Sequence, residues 1–371
     1  MWMMDPEDLR AEIPALDGTV YLNTGAAGPS PRRVVDAVED ALEYHEYEAF
    51  GGAGTYPAMF DAMDETRAAV ADHVGAPAES VALTRSTTDG IGRIAAAMEW
   101  EPGDVVVRTD QEHAAGILPW ERLAKTDDIE VRVVEAAGGD VDRDAFRMAV
   151  ADARLALFSS LNWTDGARLP VAELTDIARD ADTRVVVDAV QSVGQHPVDV
   201  EAWGADAVAA AGHKWLLAPT GTGFLSVDDE FARSLEPAQL GYRSLADDEA
   251  DPYELHPDAR RFEVGTASPA VPAGLREGIA VIEELGYDAI TDRVARLTDR
   301  LKDGVDADRL VSAREYESGL VTLAAEDPES TVERLAESDI VIRDIPGTGT
   351  VRVSVHAFNT AGDIDALLDA L

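Results

Sequence analysis

Apolar positions along the chain follow two alternating rhythms. Short continuous apolar runs at 80–84, 104–108, 129–134, 155–159 and 183–188 read as buried strands. Between them, apolar residues recur at helical spacing, predicting helices over 31–50, with Val34, Val38 and Leu42 on one face, and over 57–74, 91–100 and 143–150. Pro31 suits the first turn of the earliest of these. Strand and helix in alternation predict an α/β fold whose large domain is a mainly parallel, doubly wound sheet. After residue 227 the rhythm changes, and 236–261, rich in Asp, Pro and Tyr, is expected to be a long surface excursion. Two helices follow from Pro272, one with Leu275, Ile279 and Ile282 on a face and one with Ile290, Val294, Leu297 and Leu301, separated by Gly286 as a C-cap. Strands at 319–323, 340–343 and 351–355 and helices at 330–337 and from about Thr360 complete a small C-terminal α/β domain. The expected division is an N-terminal arm 1–20, a large domain 21–268, and linking helices with a small domain 269–371.

Charge changes this picture. Against 31 basic residues stand 72 acidic ones, and the net charge of −41 is spread over the whole 371 residues, although a hydrophobic content of 46% excludes general disorder. Lysine is confined to Lys125, Lys214 and Lys302. These features predict a soluble, cytoplasmic protein adapted to a high-salt cytosol, where counter-ions screen the self-repulsion. So acidic a surface repels nucleic acid and anionic membranes, and neither is an expected partner. The start of the chain has no basic region leading into an apolar core, and no run of 18 apolar residues occurs, so neither a signal peptide nor a membrane span is expected. Cysteine is absent, which removes disulfides, thiolate metal sites and any cysteine nucleophile, and no metal site is expected.

Candidate chemistry gathers in residues 183–227. Asp188 closes one apolar run, and a second run delivers Gly212, His213 and Lys214 into a loop of Gly, Pro and Thr. In an open α/β sheet, ligands bind beyond the carboxyl ends of strands, so both side chains can face one pocket. A desolvated lysine loses its proton and forms a Schiff base with a carbonyl, and an aspartate beside a pyridine nitrogen keeps that nitrogen protonated as an electron sink. A turn-capping aspartate and a solvated surface lysine are the plainer alternatives. Similar pairs of readings hold elsewhere. The hydroxyls of Ser86, Thr87 and Thr88 at a helix start suit either a phosphate cradle or a simple N-cap. His113 can stack over a ring or be structural, and Asn162 can make a ligand contact or an Asx turn. The stretch 219–223 lacks the ending of a P-loop and the spacing of a dinucleotide fingerprint.

The segments DAVQSVGQ and AAAGHKWLLAPTGTGFL resemble the cofactor-lysine region of the class V aminotransferase family of fold-type I pyridoxal 5′-phosphate enzymes, which includes cysteine desulfurases and isopenicillin N epimerase-like proteins. The resemblance implies Lys214 as the Schiff-base lysine, Asp188 as partner of the ring nitrogen, Gln191 as a donor to the ring hydroxyl and His213 as a neighbour of the phosphate. STTDGI resembles the family's phosphate loop (Thr87, Thr88), EHAAGILPW the segment bearing the ring-stacking His113, and the loop at 160–166 the polar contact to the ring hydroxyl, through Asn162. YLNTGAAGPSP is similar to an N-terminal substrate-side loop. RFEVGT resembles an element whose threonine, here Thr266, reaches the phosphate of the other subunit, which implies a homodimer. VRVSVHAFNT resembles the segment with the carboxylate-binding arginine, implying Arg352, and also Arg343, as binders of an amino-acid substrate. Two departures stand out: Ala211 replaces a phosphate-facing serine, and the connection 344–350 lacks the cysteine that desulfurases carry there. Persulfide-forming desulfuration is thereby disfavoured. An aminotransferase acting on an amino acid with a 2-oxo acid is the leading expectation, with lyase or epimerase chemistry next and a non-catalytic binding protein after those.

Overall fold

The computed structural model describes residues 4–247 and 249–371. Seven strands build the central sheet: β1 (Val81–Thr84), β2 (Val105–Thr109), β3 (Glu130–Val134), β4 (Leu155–Ser159), β5 (Arg184–Asp188), β6 (Ala207–Ala211) and β7 (Gly223–Val227), in the order β1-β7-β6-β5-β4-β2-β3. Only β7 runs against its neighbours, β1 and β6. The other pairings in the sheet are parallel. Strands β1 to β6 therefore point one way and bring their carboxyl ends to a single edge.

Both faces of such a sheet are covered, so its strands are apolar throughout. On one face α3 (Thr87–Ala97) and α4 (Ala114–Thr126), after α1 (Arg32–Glu43) and α2 (Thr55–Val74) in the chain, pack Ile91, Ile94 and Trp120 against Val106, Leu157, Val186 and Leu225. On the other face Val70 of α2, Phe146 of α5 (Arg143–Val150), Leu174 of α6 (Val171–Arg179) and Ile279 of α7 (Ala270–Leu285) meet Val107, Ala156, Val187 and Phe224. The alternation of neighbours such as Val106 and Val107 between the two cores is the period of two that a pleated strand imposes. Helix α8 (Tyr287–Gly304) follows α7 after Gly286, whose φ of +76° makes the turn.

The small domain carries an antiparallel sheet of β8 (Leu320–Ala324), β9 (Arg343–Ile345) and β10 (Thr350–Ser354), in the order β8-β10-β9. The chain's beginning joins it rather than trailing as an arm. Val20–Tyr21 pairs in parallel with Ile340–Val341, Asn23 bridges to Ser354, Arg10 forms an ion pair with Asp363 at 2.8 Å, and Leu9, Leu16 and Leu22 are buried. This departs from the expected division at residue 21, because backbone pairing over more than 300 residues leaves no periodic trace.

The helix expected over 31–50 also differs. Helix α1 ends at Glu43 and passes into a π-type turn, Tyr44–Glu48, and a 3-10 turn, Ala49–Gly51. Val34 is buried and Val38 meets α7, whereas Leu42 is 46% exposed. Helix α3 starts earlier than expected, at Thr87, since the Ser86 hydroxyl accepts the Asp89 N–H at 3.1 Å. Within 236–261 the expected excursion holds a two-stranded pair, Leu245–Asp247 with Glu254–Leu255. Among the described residues no helix is long and apolar enough to cross a membrane.

With so large an excess of acidic side chains, the folded state should gain stability as salt screens their repulsion. The Debye length falls from about 10 Å at 0.1 M to about 3 Å at 1 M. Thermal unfolding followed from 0.1 to 2 M KCl is expected to show Tm rising throughout. A flat or falling Tm would show that the surface charge is not destabilising.

Candidate active site

Beyond β6 the chain folds into a compact loop around Lys214: the Ala218 N–H donates to the Gly212 carbonyl at 3.0 Å and the Leu217 N–H to the Lys214 carbonyl at 3.2 Å. Leu217, wholly buried, sits at φ +54° in the left-handed region, which costs a residue with a Cβ roughly 1–2 kcal/mol. Strain of this kind persists where surroundings over-determine the backbone, commonly at functional sites. The N-terminal segment holds the loop from the other side, with the Gly28 N–H donating to the His213 carbonyl at 2.7 Å. A Cβ at Gly28 would lie 2.2 Å from the Lys214 carbonyl oxygen. Gly28→Ala is therefore expected to displace the lysine loop and cost about 1–3 kcal/mol of stability, the range for overpacking; calorimetry showing an unchanged Tm would contradict the tight approach.

Lys214 and Asp188 occupy this carboxyl edge together. The protein around Lys214 strips its ammonium of water, and the nearby Arg352 and Arg343 oppose its charge while Asp188 favours it; the balance holds the amine down at about 8. Burial pushes Asp188 up to about 6, against the Val190 N–H, which donates to Oδ1 at 2.9 Å, and against Lys214. His113 forms the N-cap of α4, its Nδ1 accepting the Ala115 N–H at 3.4 Å, and its ring stands edge-on to Trp163 at 5.4 Å. Desolvation and the cations Lys214, Arg343 and Arg352 hold His113 below the ordinary histidine range, hence neutral. His213, half-buried, is lowered by burial and by Lys214.

From the small domain come the two arginines, directly opposite each other in the antiparallel register of β9 and β10. Like charges in that position repel. Both guanidinium groups lie against Trp163, 5.8 Å from its ring centre for Arg343 and 6.0 Å for Arg352. Arg352 is 0% exposed and donates from Nη1 to the Trp163 carbonyl at 2.8 Å, while its Nε and Nη2 have no partner among the described residues. Burial, with Arg343 beside it, lowers its pKa to about 9. A buried cation with idle donors is costly unless an anion completes it.

Other expected site residues are placed less uniformly. Gln191 is buried, its Nε2 donating to the Gly25 carbonyl at 3.0 Å and its Oε1 accepting the Trp215 indole N–H at 2.8 Å, so it braces the N-terminal segment against the lysine loop and keeps one N–H free. Asn162, the expected polar contact to the ring hydroxyl, turns its amide nitrogen to the Ala136 carbonyl at 2.8 Å and to Asp165 at 3.4 Å, and the group it leaves unpartnered is an acceptor, Oδ1. Thr87 is buried with its hydroxyl unpartnered, whereas Thr88 is exposed and lines a separate surface cavity of about 220 Å³ with Arg85, Arg93 and Phe262. Successive helical residues point about 100° apart, so the two threonines do not act together. Thr266 is exposed and bonds to the Tyr242 hydroxyl at 3.0 Å, beside the rings of Tyr56 and Phe60. Sequence reasoning overlooked Trp163, Trp215 and Glu112; each lies inside a stretch already singled out, and a large aromatic or an acid beside the chosen residue was the available signal.

The model of the family described as Aminotransferase class-V matches residues 20–367. This chain belongs to the class V aminotransferases. A probable cysteine desulfurase of Methanothermobacter thermautotrophicus is 32% identical over 100% of this chain and 98% of its own, and one of Pyrococcus abyssi is 30% identical over 100% and 97%. The isopenicillin N epimerase of Streptomyces clavuligerus is 30% identical over 100% and 98%. Among solved structures, the apo cysteine desulfurase of Thermococcus onnurineus NA1 superposes with a TM-score of 0.91 at 28% identity, covering 99% of this chain and 97% of that one. As a class V member the chain is a pyridoxal 5′-phosphate enzyme. Its residues suit that cofactor: a lysine with a depressed pKa, a buried carboxyl next to it, and an unpartnered Thr87 hydroxyl at a helix start on the same sheet edge.

Proposed function

We propose that this class V aminotransferase transfers the amino group of an α-amino acid to a 2-oxo acid. The observation that supports it most is the buried Arg352, with two unpartnered N–H donors, in the electrostatic range of Lys214. Lys214 is the residue that would hold the cofactor by its aldehyde, Thr87 and His213 would lie toward its phosphate, and Asp188 would keep its ring nitrogen protonated. When bound, the cofactor supplies a conjugated ring able to take up the electrons left behind by a departing α-proton. Arg352 receives the substrate carboxylate in a planar, two-point grip that orients the α-carbon, and Arg343, its register partner, also near Trp163, adds positive charge to the same pocket. Lys214 Nζ, unprotonated above a pH of about 8, takes the α-proton and can return it elsewhere. His113 and Trp163 wall the cleft against water.

Expulsion of a β-substituent is a second reading, favoured by the desulfurase names of the relatives. A protein persulfide cannot form in a chain with no cysteine, and 344–350 is here a tight β9–β10 hairpin, with Gly347 and Gly349 at φ +77° and +70°. The loaded protein, offered a panel of L-amino acids with and without 2-oxo acids, decides between them. New amino acid appearing only with the 2-oxo acid supports transamination. Pyruvate or sulfide released without it supports elimination, and a D-isomer supports epimerisation.

We further propose a homodimer in which Thr266 serves the partner's site, in a protein adapted to a salt-rich cytoplasm. Support comes from Tyr56, 55% exposed, whose ring lies 6.3 Å from that of Tyr242, the hydroxyl partner of Thr266, because solvent-facing aromatics packed together mark interaction surfaces. Tyr56→Glu is expected to shift the mass measured by light scattering from dimer toward monomer, and to weaken cofactor retention. A parent protein that is monomeric at micromolar concentration would sink the proposal.

A further inference from the structure

Glu112, next to His113 in the chain, turns the opposite way into the floor of the cleft and is buried. Its Oε1 accepts the Thr109 hydroxyl at 2.5 Å and the Ser159 N–H at 2.9 Å, and its Oε2 accepts the Ser159 hydroxyl at 2.7 Å. Thr109 ends β2 and Ser159 ends β4, and Ser159 is the register partner of Asp188 at the end of β5. The carboxyl is thus fastened to two strand ends and stands beside the third, which carries the aspartate of the site. Room has been left for it: a Cβ on Gly116, in the first turn of α4, would sit 3.0 Å from Oε2.

Three donors converging on one buried carboxyl make an arrangement for an anion. No basic side chain is paired with it among the described residues, so its charge is directed at the site rather than neutralised locally. The other charged groups nearby are engaged or cationic. Asp110 accepts the Ala136 N–H at 2.8 Å, and Arg108 reaches Glu121 at 3.7 Å. Lys214 and the largely neutral His113 and His213 lie on the cleft side.

We propose that Glu112 is a positioning residue for this site, its carboxylate standing behind Asp188 and raising the proton affinity of the cofactor held there. The inference rests on the reading that pyridoxal 5′-phosphate is held on Lys214 beside Asp188. Burial and the neighbouring Asp188 push Glu112 itself up to about 7, so the second negative charge is in place above neutrality and withdrawn below it.

The test is a pH titration of the visible absorbance of pyridoxal phosphate-loaded protein. Glu112→Gln keeps the shape and can retain all three contacts, the amide donating to the Ser159 hydroxyl, so thermal stability and cofactor affinity should stay close to those of the parent. The midpoint of the visible band should fall by about 0.5 to 1 unit, a roughly three- to tenfold loss of proton affinity for one charge removed within a partly screened site. A midpoint equal to the parent's would overturn the proposal and leave Glu112 a structural clamp. If Glu112→Gln does not fold, Ser159→Ala removes one donor to the carboxylate and should move the midpoint the same way by less; no movement overturns the proposal equally. Asp188→Asn separates the two levels: if that variant also titrates like the parent, the reading of the cofactor site has failed, not the role of Glu112 alone.

Discussion

Lys214→Ala protein stays colourless after soaking in pyridoxal 5′-phosphate, while the parent turns yellow and, after borohydride reduction, carries the cofactor's mass at residue 214. That is the expected result, because Lys214 is the one lysine set at the carboxyl edge of the sheet: Lys302 donates to the Glu315 carbonyl at 2.8 Å in the small domain, and Lys125 lies in the last turn of α4. Activity should drop on the order of 10³-fold or more, since the variant loses a general base, worth about 10²–10⁴ alone, together with the covalent anchor. The reaction has a characteristic pH dependence. A lysine whose pKa is lowered from 10.5 to about 8 is protonated and inert below that value and nucleophilic above it. Cofactor capture by apo-protein should therefore rise with a midpoint near 8. A midpoint near 10, or yellow colour persisting in Lys214→Ala, contradicts the assignment.

Arg352→Met should give an unusual pair of effects. The guanidinium is fully buried and has one hydrogen bond for three nitrogens, so replacing it by an apolar side chain of similar reach removes an uncompensated desolvation cost. Tm of the unliganded protein is expected to hold or rise. The same change leaves a substrate carboxylate without its counter-charge; losing one side of a buried charge pair costs roughly 2–5 kcal/mol, or about 30- to 5,000-fold in kcat/KM, mostly through KM. A variant with normal KM for amino acids would show that the carboxylate is bound elsewhere. A marked fall in Tm would show that the contact with Trp163 stabilises the fold more than the buried charge opposes it.

The sheet was legible because strands covered on both sides must be apolar along their length, and runs such as 155–159 and 183–188 admit little else. Strand direction then places whatever follows Asp188 and Ala211 at one edge, so the central pair could be read from the letters. What remained hidden depends on direction rather than composition. Nothing in 85–90 tells which threonine turns inward, and Thr87 does while Thr88 faces a different cavity. Asn162 spends its amide nitrogen on the Ala136 carbonyl and on Asp165, which leaves its Oδ1 as the group open to a ligand. Arg343 and Arg352 face one another only because a hairpin of fixed length sets their register. The pairing of residues 20–21 with 340–341 has no local signature at all.

The segment from Asn23 to Gly28 is fastened at both ends to different bodies, to Ser354 of the small sheet through the Asn23 bridge and to His213 beside the reactive lysine. Its six residues join the small sheet to the lysine loop through backbone contacts at both ends. Swinging the two halves wide apart would tear one of those attachments before the gap opened far. Parting the small sheet from the lysine loop along this segment therefore requires the loss of either the Asn23–Ser354 bridge or the Gly28–His213 hydrogen bond.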